Sequence, residues 1–291
     1  MTPMAPAYAA FVLLCFVWGS TWLVIKVGYG GLGPFNVAAL RFFISGLLMV
    51  PLVPMLGARW PRGRNEWRLV VFVGIVLFGV DYGLIYWGEQ WLDSGLTAVL
   101  FAVLPIVTAL MAHVYLRGER LTISKFTGTL LAFAGVAMLF ADNLQLDASK
   151  TWPMLAVIFS TVCAGASSVA TKRYGNALHP AAFNAPAMLV GGACLALASV
   201  IAGDGLHAPS DLQTWGAILY LAVAGSVVTF LIFFWLLKTW SATTLSFISV
   251  FTPITALALG YIVLHERPTA WTALGAVVVL MGVVLAQVRK R

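Results

Sequence analysis

Charge is what this sequence has least of. Asp, Glu, Lys and Arg together supply 9% of its 291 residues, against roughly a quarter in soluble domains. A chain of this length could otherwise hold two ordinary soluble domains, but so few charges could not cover their surface. Cysteine is nearly as scarce: Cys15, Cys163 and Cys194 all lie in apolar runs, which leaves no disulfide framework. Low-complexity tracts and long polar inserts are missing. No Lys or Arg precedes the first apolar run, and the cleavable-looking Ala7–Ala10 comes before that run rather than after it. The first run therefore reads as an uncleaved helix and not as a signal peptide.

What is present is hydrocarbon. Hydrophobic residues make up 61%, mean hydropathy is +0.96, and polar clusters separate apolar runs of about twenty residues, the length a helix needs to cross a bilayer. The expected class is an all-α polytopic membrane protein with ten transmembrane helices and the lipid bilayer as its surroundings. The first five spans are Tyr8–Val27, Pro34–Val53, Leu69–Gly88, Ser94–Leu116 and Ser124–Ala141. The second five are Trp152–Thr171, Pro180–Ala202, Leu212–Leu237, Thr243–Leu264 and Ala270–Val288. The net charge of +7 does not point to nucleic acid, because the basic residues sit between spans. One side receives thirteen (Arg59, Arg62, Arg64, Arg68, Arg117, Arg120, Lys125, Lys172, Arg173, Lys238, Arg289, Lys290, Arg291) and the other three (Lys26, Lys150, Arg267). Positive loops stay cytoplasmic, so both termini are expected inside, in a multi-pass protein of the cell (inner) membrane.

The chain also repeats itself. Glu119, Arg120 and Thr122 recur 147 residues later as Glu266, Arg267 and Thr269. At the same offset Ser94, Thr97, Thr108, Gly128 and Gly135 meet Ser241, Thr244, Thr255, Gly275 and Gly282, while Gly19, Lys26 and Pro34 meet Gly165, Lys172 and Pro180 at 146. Each copy, residues 8–141 and 152–288, holds five spans, so the second crosses the membrane in the opposite sense. The Glu–Arg corners read as capped, solvated helix ends. Inverted repeats place a site near the midplane and let the two copies exchange access, which favours a transporter.

Five helices plus five, with "WGSTWLVIK" in the first span and "ER" after the fourth and ninth, resemble the EamA-type branch of the drug/metabolite transporter superfamily. The resemblance covers nearly the whole chain. It implies a basket of helices around a central cavity and the export of amino acids or related metabolites. The aromatic content is similar to that of bacterial aromatic amino acid exporters.

Ionisable groups inside a membrane are candidates for function. Arg41 and Asp81 lie seven residues inward from the same side, on the second and third spans, so they can pair or face a substrate's carboxylate and amine. His113 and Glu89 lie near span ends, where an interfacial and a solvated role respectively are expected. Phe78, Tyr82 and Tyr86 form one stripe on the third span, and Phe230 and Phe234 repeat it on the eighth. Trp18 and Trp22 pair on the first span, and Phe101 lies on the fourth. Each stripe can serve as packing or as a belt; facing each other, they can wall a site for an apolar or aromatic substrate. Pro105 and Pro253 kink the fourth and ninth spans, as static bends or as gates. The glycines at 128, 135, 275 and 282 suit close helix packing.

No metal or cofactor is called for. "GYGGLG", Gly28–Gly33, has the glycine spacing of a dinucleotide loop but joins two spans, so it reads as a flexible loop. An intramembrane enzyme would need a nucleophile with its base, or paired carboxylates, and neither H-E-x-x-H nor a serine elbow occurs. A channel would need a ring-forming filter. The expected function is a secondary exporter of small amphiphilic metabolites, chiefly hydrophobic or aromatic amino acids, by alternating access; drug-like organic cations are the alternative cargo.

Overall fold

The computed structural model describes residues 4–116, 123–146, 148–267 and 269–287, and among them every regular element is helical. Helix α1 is Met4–Val27 and α2 is Pro34–Met55. Next, α3 (Arg64–Val73) runs through a π-helical segment, Gly74–Asp81, into α4 (Tyr82–Glu89). The following span is broken into α5 (Ser94–Phe101) and α6 (Leu104–Tyr115). Then come α7 (Ile123–Leu146), α8 (Thr151–Tyr174) and α9 (Pro180–Ile201). Helix α10 (Leu212–Ala222) passes through a second π-helical segment, Val223–Val228, into α11 (Thr229–Thr239). Another broken span, α12 (Ala242–Ser246) and α13 (Ile248–Val263), precedes α14 (Ala270–Gln287).

Among the described residues eight helical stretches are long and apolar enough to cross a membrane, and α7 and α14 carry the shorter apolar segments Thr127–Leu139 and Ala270–Leu285. Helix ends fall within a few residues of those read from sequence, because the cues are local. Pro34 and Pro180 open α2 and α9, where a missing N–H costs nothing. Asp211 accepts from the Thr214 backbone N–H at 2.8 Å and caps α10.

The corner at Glu266 is more than a solvated turn. Its carboxylate reaches from the α13–α14 connection to the start of α5, accepting from the Ser94 N–H at 3.0 Å and the Ser94 hydroxyl at 2.8 Å. It thus caps the positive end of another helix, while Arg267 is exposed. Gly260 makes room, since a Cβ there would strike the Glu266 carboxylate. The equivalent corner at Glu119 and Arg120 lies outside the described residues, as do Arg117 and the basic C-terminal tail Arg289–Arg291.

Close packing explains two glycine patterns. A Cβ on Gly135 would come 2.6 Å from the backbone nitrogen of Val279, and one on Gly282 would run into Ala132, so α7 and α14 meet backbone to backbone. The Gly28–Gly33 loop is docked rather than free. Gly30 has a φ of +47°, and side chains at Gly30 and Gly33 would collide with Thr214 and Asp204.

Candidate functional site

The helices enclose a cavity of about 90 Å³ between α1, the first π-helical segment with α4, the α5–α6 break, α8, α11 and the α12–α13 break. It is large enough for several waters and is lined mainly by aromatic and hydroxyl side chains. Six of the ten binding residues expected from sequence reach it: Trp18, Trp22, Asp81, Tyr82, Phe101 and Phe230. Their rings form two connected walls. Trp22 packs on Phe101 at 5.5 Å, while Trp18 packs on Phe230 at 5.3 Å and on Phe233 at 5.4 Å.

The other four lie behind this surface. The two stripes do meet, with Phe78 and Phe230 edge to face at 4.9 Å. Phe78 nevertheless spends its face on Phe42 and Phe230 and is fully buried. Phe234 packs on Phe183 at 5.1 Å, away from the cavity. Tyr86 is also fully buried, and its hydroxyl accepts from Arg41 at 3.2 Å.

Arg41 and Asp81 do not pair. Among the described residues the ion pairs are Lys26–Glu266 and Arg59–Glu66. Arg41 is fully buried and donates from Nε to Ser226 Oγ and from a terminal nitrogen to the Gly225 carbonyl, both at 2.9 Å, besides its bond to Tyr86. Its guanidinium carbon lies 4.8 Å from the Tyr82 ring centre, an arrangement the ring's negative face favours. Tyr82 therefore stands between the cation and the cavity. Two of the three acceptors, Ser226 and Gly225, come from the second π-helical segment. Its i→i+5 pairing lets Gly225 offer its carbonyl both to Arg41 and to the Trp18 indole N–H, the latter at 3.2 Å. Equal depth along the chain could not reveal this, because a full set of neutral acceptors on another helix is invisible in the spacing of two charges.

Asp81 is the reverse case. It lines the cavity, is 1% exposed, and its Oδ1 has no hydrogen-bond partner among the described residues. Hydroxyls that line the same cavity include residues the sequence reading missed: Thr21, Ser246, Ser249 and Thr252. Each donates to a carbonyl three residues back, at 2.7–3.2 Å, to Trp18, Thr243, Ser246 and Ser249 respectively. With their protons committed, they present lone pairs inward. The three-residue spacing of Ser246, Ser249 and Thr252 was the available signal. Pro253 explains one of these bonds: it has no N–H for the Ser249 carbonyl, and the Thr252 hydroxyl supplies a donor instead.

Pro105 and Pro253 sit beside chain breaks. Pro105 is the second residue of α6, just past the break at Ala102–Val103, and Pro253 lies within α13, six residues past the break at Phe247. Both breaks face the cavity through Phe101, Leu104, Ser246 and Ile248. Glu89 is not solvated: it is completely buried at the end of α4, because Gly88 lets that end close onto Pro153 and Val157 of α8.

The sequence profile of the EamA-like transporter family matches this chain twice, over residues 5–141 and 151–287. The chain belongs to the EamA-like transporter family. Its relatives extend over almost its whole length. The transporter YoaV of Bacillus subtilis is 26% identical over 96% of each chain. The inner membrane transporter YedA of Escherichia coli is 28% identical, covering 99% of this chain and 92% of its own. A probable terminal-alkyne amino-acid exporter of Streptantibioticus cattleyicolor is 26% identical over 97% of this chain and 93% of its own. A crystal structure at 20% identity superposes with a TM-score of 0.71 over 97% of this chain and 96% of that one, which speaks for the fold alone. This EamA-like protein is thus a multi-pass membrane transporter for a small molecule, and not an intramembrane enzyme.

Proposed function

We propose that this transporter exports small amphiphilic molecules bearing an amino group, chiefly amino acids with apolar or aromatic side chains. The observation that carries the reading is the open carboxylate of Asp81 inside an aromatic box. A protonated amine brings the donor that the Asp81 carboxylate lacks and finds the lone pairs of Thr21, Ser246, Ser249 and Thr252, while Trp18, Trp22, Tyr82, Phe101 and Phe230 hold an apolar body. A charge-assisted hydrogen bond is worth about 1.5–3 kcal/mol, enough to select the amine without preventing release. The amino-acid exporter among the relatives adds support.

A second reading, organic cations without a carboxylate, is favoured by the placement of Arg41, whose guanidinium is enclosed behind Tyr82. Counterflow in proteoliposomes decides between them. Phenylalanine and tryptophan exchange under the first reading; phenethylamine and tryptamine exchange, with their parent amino acids excluded, under the second. Exchange of alanine and threonine alone would reject both.

The working cycle is alternating access between two five-helix copies of opposite sense, residues 8–141 and 152–288, making ten crossings with both termini in the cytoplasm. The double family match supports this. So do the two π-helical segments, whose ends at Asp81 and Val228 are again 147 residues apart. The two exposed positions Ser210 and Gly63 test the orientation. In a cysteine-free background, Ser210→Cys should react with an impermeant thiol reagent outside intact cells and Gly63→Cys should not; the opposite pattern would invert the topology.

A further inference from the structure

Glu89 has no part in the cavity, yet it is the least accommodated charged group described. It is completely buried, and neither carboxyl oxygen has a hydrogen-bond partner among the described residues. It lies eight residues past Asp81 on one continuous helical stretch, about 12 Å along the axis at 1.5 Å per residue. An ionised carboxylate in such a place requires donors, and Lys26, Tyr29 and Arg41 are all engaged elsewhere.

Those groups come from α1, the loop that follows it, α2 and the connection before α14. Lys26, at the end of α1, donates to the Leu92 carbonyl at 2.7 Å and lies 3.6 Å from Glu266. Tyr29, in the loop after α1, gives its hydroxyl proton to the Tyr86 carbonyl at 2.7 Å. Arg41 of α2 is satisfied by Ser226, Tyr86 and Gly225. Glu266, from the connection before α14, is the second carboxylate facing the site and is held by the start of α5. Lys26 and Glu266 neutralise each other, and Arg41 gives its hydrogen bonds to neutral acceptors, so an ionised Glu89 would be buried with no donor of its own. Leu236 and Leu237 stand near the equivalent place in the other half, so the fold does not require an acid there.

We infer that Glu89 is a proton-binding site, filled while Lys26 is held by Glu266 and emptied when that corner opens and frees Lys26 to pair with it. The proton leaves as the Lys26 ammonium approaches, and no other reactant is needed. This holds whichever molecule the cavity carries.

Infrared spectroscopy of the full-length protein at neutral pH, with isotope-labelled glutamate, reads the site without any transport assay. Of the described glutamates, Glu66 and Glu266 are ion-paired. The expected result is one glutamate-derived protonated-carboxyl band, lost in Glu89→Gln and also lost in Glu266→Gln, where Lys26 is released. Absence of the labelled band in the unaltered protein overturns the assignment even if neither variant folds. A band that survives Glu89→Gln places the proton elsewhere, and one that survives Glu266→Gln overturns the link to the corner.

Discussion

Arg41 and Asp81 bury opposite charges at matching depth, and the protein treats them in opposite ways. The guanidinium is filled from three directions by Ser226, Tyr86 and Gly225, with a ring laid against its face. The carboxylate opens on a cavity with one oxygen unmatched. A buried charge whose bonds are complete stabilises the fold; one left incomplete has a vacancy for something that comes and goes. Arg41 therefore ties α2 to the second π-helical segment, and Asp81 is the residue we propose for the traffic.

The severest way to break that contrast is Arg41→Ala. It removes three buried charge-assisted hydrogen bonds, worth about 1.5–3 kcal/mol each, so thermal unfolding in detergent should show a large loss of stability and yield. Adding Asp81→Ala should not restore it, because the two do not touch; recovery in the double variant would mean that they pair in a state other than this one.

Asp81→Asn should do the opposite, leaving stability near normal while weakening counterflow of amine-bearing substrates by about 10–100-fold, the equivalent of one lost charge-assisted bond. Unchanged kinetics would remove Asp81 from the site.

Tyr82→Ala comes next. Offset ring contacts are worth about 0.5–1.5 kcal/mol, so aromatic substrates should lose up to roughly tenfold while alanine or threonine exchange, where present, loses less. Tyr82→Phe, which keeps the ring against Arg41, should restore the difference. Equal losses for all substrates would make Tyr82 a packing residue.

The smallest effect is expected at Asp211, an exposed aspartate with complete bonds. The Thr214 N–H and hydroxyl hold its carboxyl below the ordinary value of 3.8. Because the folded value is depressed, its contribution is present above the unfolded value and lost as pH falls through the folded one. The unfolding temperature of Asp211→Asn should lie slightly below that of the unaltered protein at neutral pH, and the gap should close in strong acid. A gap independent of pH would mean that the cap works without its charge.

The helix boundaries were largely legible in the sequence, since apolar runs, Pro34 and Pro180 are local signals that no distant contact overrides. The glycine pairs of α7 and α14 also did what their spacing implied. The candidate site was legible only in part. The stripe of Phe78, Tyr82 and Tyr86 assumes a regular α-helix, but Phe78 lies in a wider π turn, and only Tyr82 of the three lines the cavity. Nothing in hydrophobic periodicity separates an α from a π turn in so apolar a run. The hydroxyls of Ser246, Ser249 and Thr252 were illegible for a different reason: they carry no charge, and what they can offer a ligand depends on protons already committed to the backbone.

The two π-helical segments have one more consequence, and it concerns rotation. Each residue of an α-helix turns the chain by about 100°, so a span that is regular throughout fixes the facing of one end by the facing of the other. A wide turn in the middle uncouples them. In the third span it lets the end that carries Arg64 and Trp67 and the end that carries Asp81 and Tyr82 be aimed independently, and in the eighth it does the same for Trp215 and Phe230. Deleting one residue from either segment should restore a regular helix at little local cost and swing an entire half-span to a new heading, so the chain's tolerance for such deletions measures how far its two ends are separately tuned.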